Sequence, residues 1–220
     1  GSITRGLEGE ALTDIGEMAE AGVRLFTDDH NCVQSSRMMR LALEYAKAFD
    51  VIICQHAQDA GLSEGWQMHE GYYSTLLGMA GIPAASEETL VARDVILAAL
   101  TKAHVHIAHL STAGAVDAVR RARASGVKVT CEVTPHHIAL GDDVVQSFST
   151  NLKMNPPLRS EAHRKAILEG IADGTVDAIA TDHAPHHFDE KNVEFDLAPF
   201  GVIGLETAFG VCYEHLVRAK

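Results

Sequence analysis

Short apolar runs alternate along the chain with longer stretches in which apolar residues recur every three or four positions. Val23 to Asp29 precedes the helical pattern Ser35 to Phe49, and Val51 to Asp59 precedes Glu87 to Lys102. His104 to Ser111 leads into Ala113 to Ser125, Val127 to Val133 into Glu161 to Asp173, and Val176 to Asp182 into Leu205 to Arg218. Five such βα units, with near-continuous apolar strands, predict parallel strands covered by helices, either an open doubly wound sheet or a (β/α)8 barrel.

The polar residues that close the strands separate these two. Barrel enzymes draw their chemistry from the C-terminal ends of several strands, whereas an open sheet uses one crevice where the strand order reverses. Here Asp28-Asp29, His56 with Asp59, His109, Thr134-Pro135-His136-His137 and Asp182-His183 end or follow the five strands in turn. No GxGxxG or Walker sequence supports a nucleotide-binding sheet. The expected fold is α/β, a portion of a (β/α)8 TIM-type barrel with five of the eight units visible. Gly1-Ser2 is set aside as a cloning remnant, and the lack of an initiator methionine points to residues upstream. Five barrel strands leave two open edges and an uncovered inner face, so a homo-oligomer, or completion by other residues, is expected.

Composition narrows the function. The chain has 220 residues, 46% of them apolar, enough for a substantial core. Eighteen Lys and Arg against 30 Asp and Glu give a net charge of −12 with no basic stripe, which excludes nucleic acid as an expected partner. No apolar run approaches the ~20 residues of a membrane span, and a soluble protein is expected. Cys32, Cys54, Cys131 and Cys212 are too scattered for a disulfide framework or a zinc knuckle and read as reduced thiols of a cytoplasmic protein. Thirteen histidines, several beside aspartate at strand ends, suit an imidazole and carboxylate metal site.

Strand alternation assigns faces. Val105, Ile107 and His109 are read as inward, with His104 and His106 turned toward the helices. By the same count His56 joins Ile52 and Cys54, Asp29 joins Val23, Leu25 and Thr27, and Asp182 joins Val176, Ala178 and Ala180. A lone histidine or aspartate at a strand end is ordinarily a hydrogen-bonding group for the next helix. Asp29, His56, His109 and Asp182 together, each last on an inward face, make a ligand set for zinc or a similar divalent ion, and hence a hydrolase.

Several strings then resemble the class I dihydroorotases of the amidohydrolase superfamily: Phe26-Thr-Asp-Asp29, Gln55-His-Ala57, Ala108-His-Leu-Ser-Thr112, Glu132-Val-Thr-Pro-His-His137, Asn155-Pro-Pro-Leu-Arg159, Thr181-Asp-His-Ala-Pro-His186 and Gly204-Leu-Glu-Thr207. They occur in family order, from about the fourth barrel strand to the eighth, so residues 1–220 are expected to be the C-terminal part of a single barrel domain. The resemblance implies one or two Zn2+ ions, with His56 and His109 as ligands of the second metal and Asp29 as the bridging carboxylate. It makes Asp182 both a ligand of the first metal and the catalytic proton shuttle. It also implies that Asn155 and His186 hold the substrate carboxylate, and that the backbone at Phe200 and Gly201 meets the ring. The implied activity is metal-dependent interconversion of N-carbamoyl-L-aspartate and L-dihydroorotate in pyrimidine synthesis. The other readings are a hydantoinase or allantoinase, and a non-catalytic scaffold for aspartate transcarbamoylase, a partner the resemblance also brings in.

Two departures stand out. The family's His-x-His-x-Arg segment, a source of two metal ligands and a substrate-binding arginine, has no counterpart in this sequence, which leaves the activity of these 220 residues on their own in question. His30 stands where many relatives have glycine and is read as a solvated loop histidine. Asp28 competes with Asp29, and alternation favours Asp29. His136-His137 is read as stabilising its loop, His183 as packing or orienting, His187 as part of a charged loop, and His69, His163 and His215 as solvated. The Leu90 to Leu100 stripe is read as a core-facing helix.

Overall fold

The computed structural model describes residues 1–29 and 31–218; His30 and its expected loop role lie outside the described residues. Leu25–Thr27 (β1), Ile52–Gln55 (β2), Val105–Ile107 (β3), Val129–Val133 (β4) and Ala178–Ile179 (β5) form one parallel sheet in chain order. Helices Ser36–Ala48 (α1), Ala84–Thr101 (α2), Ala113–Ala124 (α3) and Glu161–Ala172 (α4) occupy the connections, as parallel pairing requires.

Local chemistry explains the helices. Ser35 caps α1 by accepting from the Met38 amide, and Thr112 caps α3 by accepting from the Ala115 amide. Each then buries one stripe at helical spacing: Met39, Ala42, Leu43 and Ala46 in α1, and Ala115, Val116, Val119 and Ala122 in α3. The stripe of α2 runs through Glu87, Leu90, Val91, Asp94 and Ala98, while Ile96 and Leu100 are exposed, so only part of the Leu90 to Leu100 segment faces the core.

Phe26, Ile53, Val105, Ile107, Val129, Cys131 and Val133 join these helical residues in one buried cluster. The register pairs Cys54 with His106 and His106 with Thr130, so the opposite face carries Thr27, Cys54, His106, Thr130 and Glu132. This corrects the expected orientation of β3. Its most apolar residues pack under the helices, and His106 lies on the other face, 2.8 Å from Thr130 Oγ1 and 3.2 Å from Glu132 Oε2, while His104 Nε2 is 2.9 Å from the same Thr130 hydroxyl.

Other elements depart from the periodic pattern. Met68–His69 and Gly81–Ile82 pair as a small parallel ribbon around the helix Tyr72–Leu77. The last expected helix is Ala208–Tyr213 (α5), continued by a wider turn at Glu214–Arg218. The Gly1 nitrogen donates to the Leu25 carbonyl and the Gly1 carbonyl accepts from the Thr27 amide. The four cysteines are free, and among the described residues no helix is long and apolar enough to cross a membrane.

Candidate metal centre

Asp29, His56 and His109 follow the ends of β1, β2 and β3. Asp29 Oδ1 lies 3.5 Å from His56 Nδ1 and 3.4 Å from His109 Nε2, and the two ring nitrogens are 3.0 Å apart. Donor atoms about 2.05 Å from a tetrahedral zinc are separated by about 3.3 Å, so this mixed imidazole and carboxylate set already has the spacing of a divalent-cation site. Both histidines are buried, and the Asp29 side chain is 48% exposed toward the cavity mouth. His109 Nδ1 is buried with no hydrogen-bond partner, a ring held by its other nitrogen alone.

His109 reaches the cluster through its backbone. Alternation from Val105 and Ile107 would send it under the helices, but its φ of +34° turns the chain after β3 and brings the ring beside His56. The turn is clamped by Glu87 on α2, whose carboxylate accepts from the amides and hydroxyls of Ser111 and Thr112. Arg159 braces the same turn, donating to Ser111 Oγ at 3.0 Å and to the Ile82 carbonyl at 2.8 Å.

The two aspartates after β1 diverge. Asp28 is buried and accepts from the amides of Ile3 and Thr4 and from the Thr4 hydroxyl, whereas Asp29 enters the cluster. The neighbouring rings of His109 and His56 hold the Asp29 carboxyl far below the usual carboxylate range. Burial pulls the His109 ring down, but the bond to Asp29 and the charges of Asp182, Asp29 and Glu87 outweigh it and leave the ring raised. Burial pushes the Asp182 carboxyl up, countered by His109 and His56 and reinforced by Asp29 and Glu132.

A cavity of about 230 Å³ is lined by Asp29, His56, His109, Asn155, Asp182, Phe200 and Gly201, with Met154 and Ala184 between them. Seven of the eight expected site residues thus meet there. Asp182, also in left-handed backbone at φ +45°, lines the cavity outside the close group of Asp29, His56 and His109. The eighth residue, His186, is exposed, and its Nε2 donates to the Phe200 carbonyl at 2.9 Å. Gly201 has φ +148°, and a Cβ there would stand 2.5 Å from the Ala184 carbonyl oxygen, so only glycine fits this wall.

The remaining histidines divide. His137 stabilises its loop, with Nδ1 2.7 Å from Thr134 Oγ1 and Nε2 donating to the carbonyls of Pro156 and Pro157. His183 Nδ1 accepts from the amides of Gly204 and Leu205. His69 is not solvated: it is buried, accepts from Arg159 at 3.1 Å, and is pulled down to about 3 by burial and by the Arg159 charge. His163 accepts from the Ala113 amide, and it and His215 are half-buried. Sequence reasoning missed Gln58, whose Oε1 lies 2.8 Å from His56 Nε2 and 2.6 Å from Asn155 Nδ2. The signal available was its place two residues beyond His56, on the same side of an extended segment.

The chain matches the family model described as Dihydro-orotase-like over residues 1–115. It is 54% identical over 219 residues to the dihydroorotase of Pelotomaculum thermopropionicum, covering 100% of this chain and 51% of that one. It is 50% identical over 218 residues to that of Acetivibrio thermocellus, covering 99% and 51%. The chain therefore spans about half the length of the curated relatives it matches. Among solved structures, an L-hydantoinase from Arthrobacter aurescens superposes with a TM-score of 0.80 at 20% identity, covering 96% of this chain and 49% of that one. A dihydropyrimidinase from Brevibacillus agri gives 0.78 at 19%, covering 93% and 48%. At such identities the likeness is one of fold, an α/β portion of the amidohydrolase barrel. With a family model matching residues 1–115 and relatives about half identical across its length, the chain belongs to the dihydroorotase-like family.

Proposed function

We propose that the protein is a dihydroorotase, interconverting N-carbamoyl-L-aspartate and L-dihydroorotate in pyrimidine synthesis, and that residues 1–220 are the C-terminal part of one barrel domain. The observation that carries this reading is the convergence of Asp29, His56 and His109 with Asp182 and Asn155 on one small cavity. Zinc is the proposed metal, as one or two ions held by Asp29, His56 and His109 with Asp182 as a further ligand. When bound, the metal supplies Lewis-acid polarisation and acidifies water.

The chain's own groups do the rest. In ring opening, Asp182 takes a proton from the attacking water and returns it to the departing ring nitrogen, and its desolvated carboxyl suits both roles. Asn155 offers its side-chain amide to the substrate carboxylate. The backbone at Phe200 and Gly201 flanks the ring, and His186 fixes the Phe200 carbonyl. A cytoplasmic location, self-association and contact with aspartate transcarbamoylase belong to the same proposal.

The test is turnover by the full-length protein across a panel of cyclic amides, with and without added zinc. Preference for dihydroorotate over hydantoin, dihydropyrimidine and allantoin rings is the expected result. Preference for a ring lacking the carboxylate would replace this reading with the hydantoinase or allantoinase one. Absence of both turnover and stoichiometric zinc would favour a scaffold.

A further inference from the structure

We infer that Gln58 is a positioning residue that fixes the tautomer of His56, turning the Nδ1 lone pair into the space shared with Asp29 and His109, where a cation would be held, and that it ties this ring to Asn155 through one shared oxygen. The inference rests on the reading of His56 as a metal ligand. A carboxamide oxygen only accepts hydrogen bonds, so at 2.8 Å from Gln58 Oε1 the His56 Nε2 is the nitrogen that carries hydrogen. The neutral ring then has its lone pair on Nδ1, the atom that lies 3.0 Å from His109 Nε2 and 3.5 Å from Asp29 Oδ1. Without an acceptor at Nε2, either tautomer is open to the ring, and the one with hydrogen on Nδ1 cannot ligate from that side.

The same oxygen also accepts from Asn155 Nδ2 at 2.6 Å, and Asn155 Nδ2 is 3.4 Å from His56 Nε2. Two donors from different loops thus converge on one acceptor. The Gln58 backbone is itself held, its carbonyl accepting from Gln34 Nε2 at 2.8 Å. The side chain lines a cavity of about 810 Å³ that shares His56, Asn155 and Phe200 with the smaller one, so Gln58 stands between the outer cavity and the ligand cluster. A group that draws Asn155 away leaves the oxygen to His56 alone, which links occupancy of the Asn155 position to the orientation of the ring.

The experiment compares Gln58→Leu, which removes the acceptor at similar size, with Gln58→Glu, which keeps it. Zinc affinity is measured by competition with a chromophoric chelator, and the His56 tautomer by nitrogen-15 NMR of the metal-free chain at a pH where the ring is neutral. The expected result is an Nε2–H ring in the parent and in Gln58→Glu and a mixed tautomer in Gln58→Leu. Zinc affinity is expected to fall about 10- to 100-fold in Gln58→Leu and to be retained in Gln58→Glu. An Nδ1–H ring in the parent, an affinity that falls equally in both variants or in neither, or a parent that takes up no zinc would each overturn the inference. Should Gln58→Leu fail to fold, the parent tautomer and the Gln58→Glu affinity still decide. Neither readout uses a substrate, so the inference stands or falls apart from dihydroorotate turnover.

Discussion

Asp28 and Asp29 are adjacent in the chain and serve opposite ends: the first carboxylate is buried against the amides of Ile3 and Thr4, and the second lies 3.4 Å from His109 in the ligand cluster. Strand alternation at the end of β1 separates two identical side chains into a structural and a site residue. Asp28→Ala should cost about 2 kcal/mol or more of stability, because buried amide donors lose their acceptor. Asp29→Ala leaves the Ile3 and Thr4 amides paired, and its main effect should be on zinc binding, weakened by about tenfold or more. Urea unfolding alongside chelator competition checks both, and equal effects in the two assays would remove the distinction.

Asp182 and His109 should separate chemistry from metal retention. Asp182→Asn keeps shape and one acceptor but cannot take the proton, so turnover should collapse, by about 100-fold or more, while part of the metal stays. His109→Ala should lose metal first, with partial recovery of turnover on adding zinc or imidazole. The measurement is dihydroorotate hydrolysis by the full-length protein against zinc content. Near-normal turnover by Asp182→Asn would return that residue to the role of a strand-end hydrogen-bond acceptor.

Gly201→Ala should fold less stably and raise KM for dihydroorotate. Its Cβ would meet backbone at Ala184 and the ring of His186, and the backbone conformation at φ +148° disfavours any side chain. Steady-state kinetics with a thermal melt test this, and unchanged values in both would show that the loop shifts freely.

Asp94 gives a pH prediction. Its carboxyl is buried on α2 beside Arg93 and is pushed up to about 6 by desolvation, against 3.8 ordinarily. The folded state holds this proton more tightly than the unfolded one. The stability it contributes is therefore full below about pH 4 and is lost as pH rises through about 6. Asp94→Asn does not titrate, so it should gain on the parent by up to about 3 kcal/mol between about pH 4 and pH 7. Urea midpoints of the two proteins across that range check the slope, and parallel curves would contradict it.

The strand order and the four helical connections were legible because parallel strands must be joined by long crossovers, and those carry a clear helical period. The ribbon at Met68–His69 and Gly81–Ile82 was not, since two residues have no period to read. Site residues at strand ends were legible as residue types at recurring places. The face of β3 was not, because alternation alone cannot say whether the helix layer or the opposite face takes the more apolar set. His109 entered the cluster for a backbone reason that no side-chain pattern records. The buried Glu87 and Arg159 were hidden for a related cause: each acts on the site from another segment, and only the tertiary fold brings them together.

The left-handed backbone of His109 and Asp182 sets these two positions apart from their neighbours. A non-glycine residue in that region costs about 1 kcal/mol, which glycine would recover. Glycine would also delete the proposed metal ligand or proton carrier. Selection for thermal robustness alone would therefore favour losing both side chains, and a stabilisation campaign scored only by melting temperature would drift toward an inert scaffold. At these positions durability and turnover are opposed, so a library that varies them needs an activity screen from its first round.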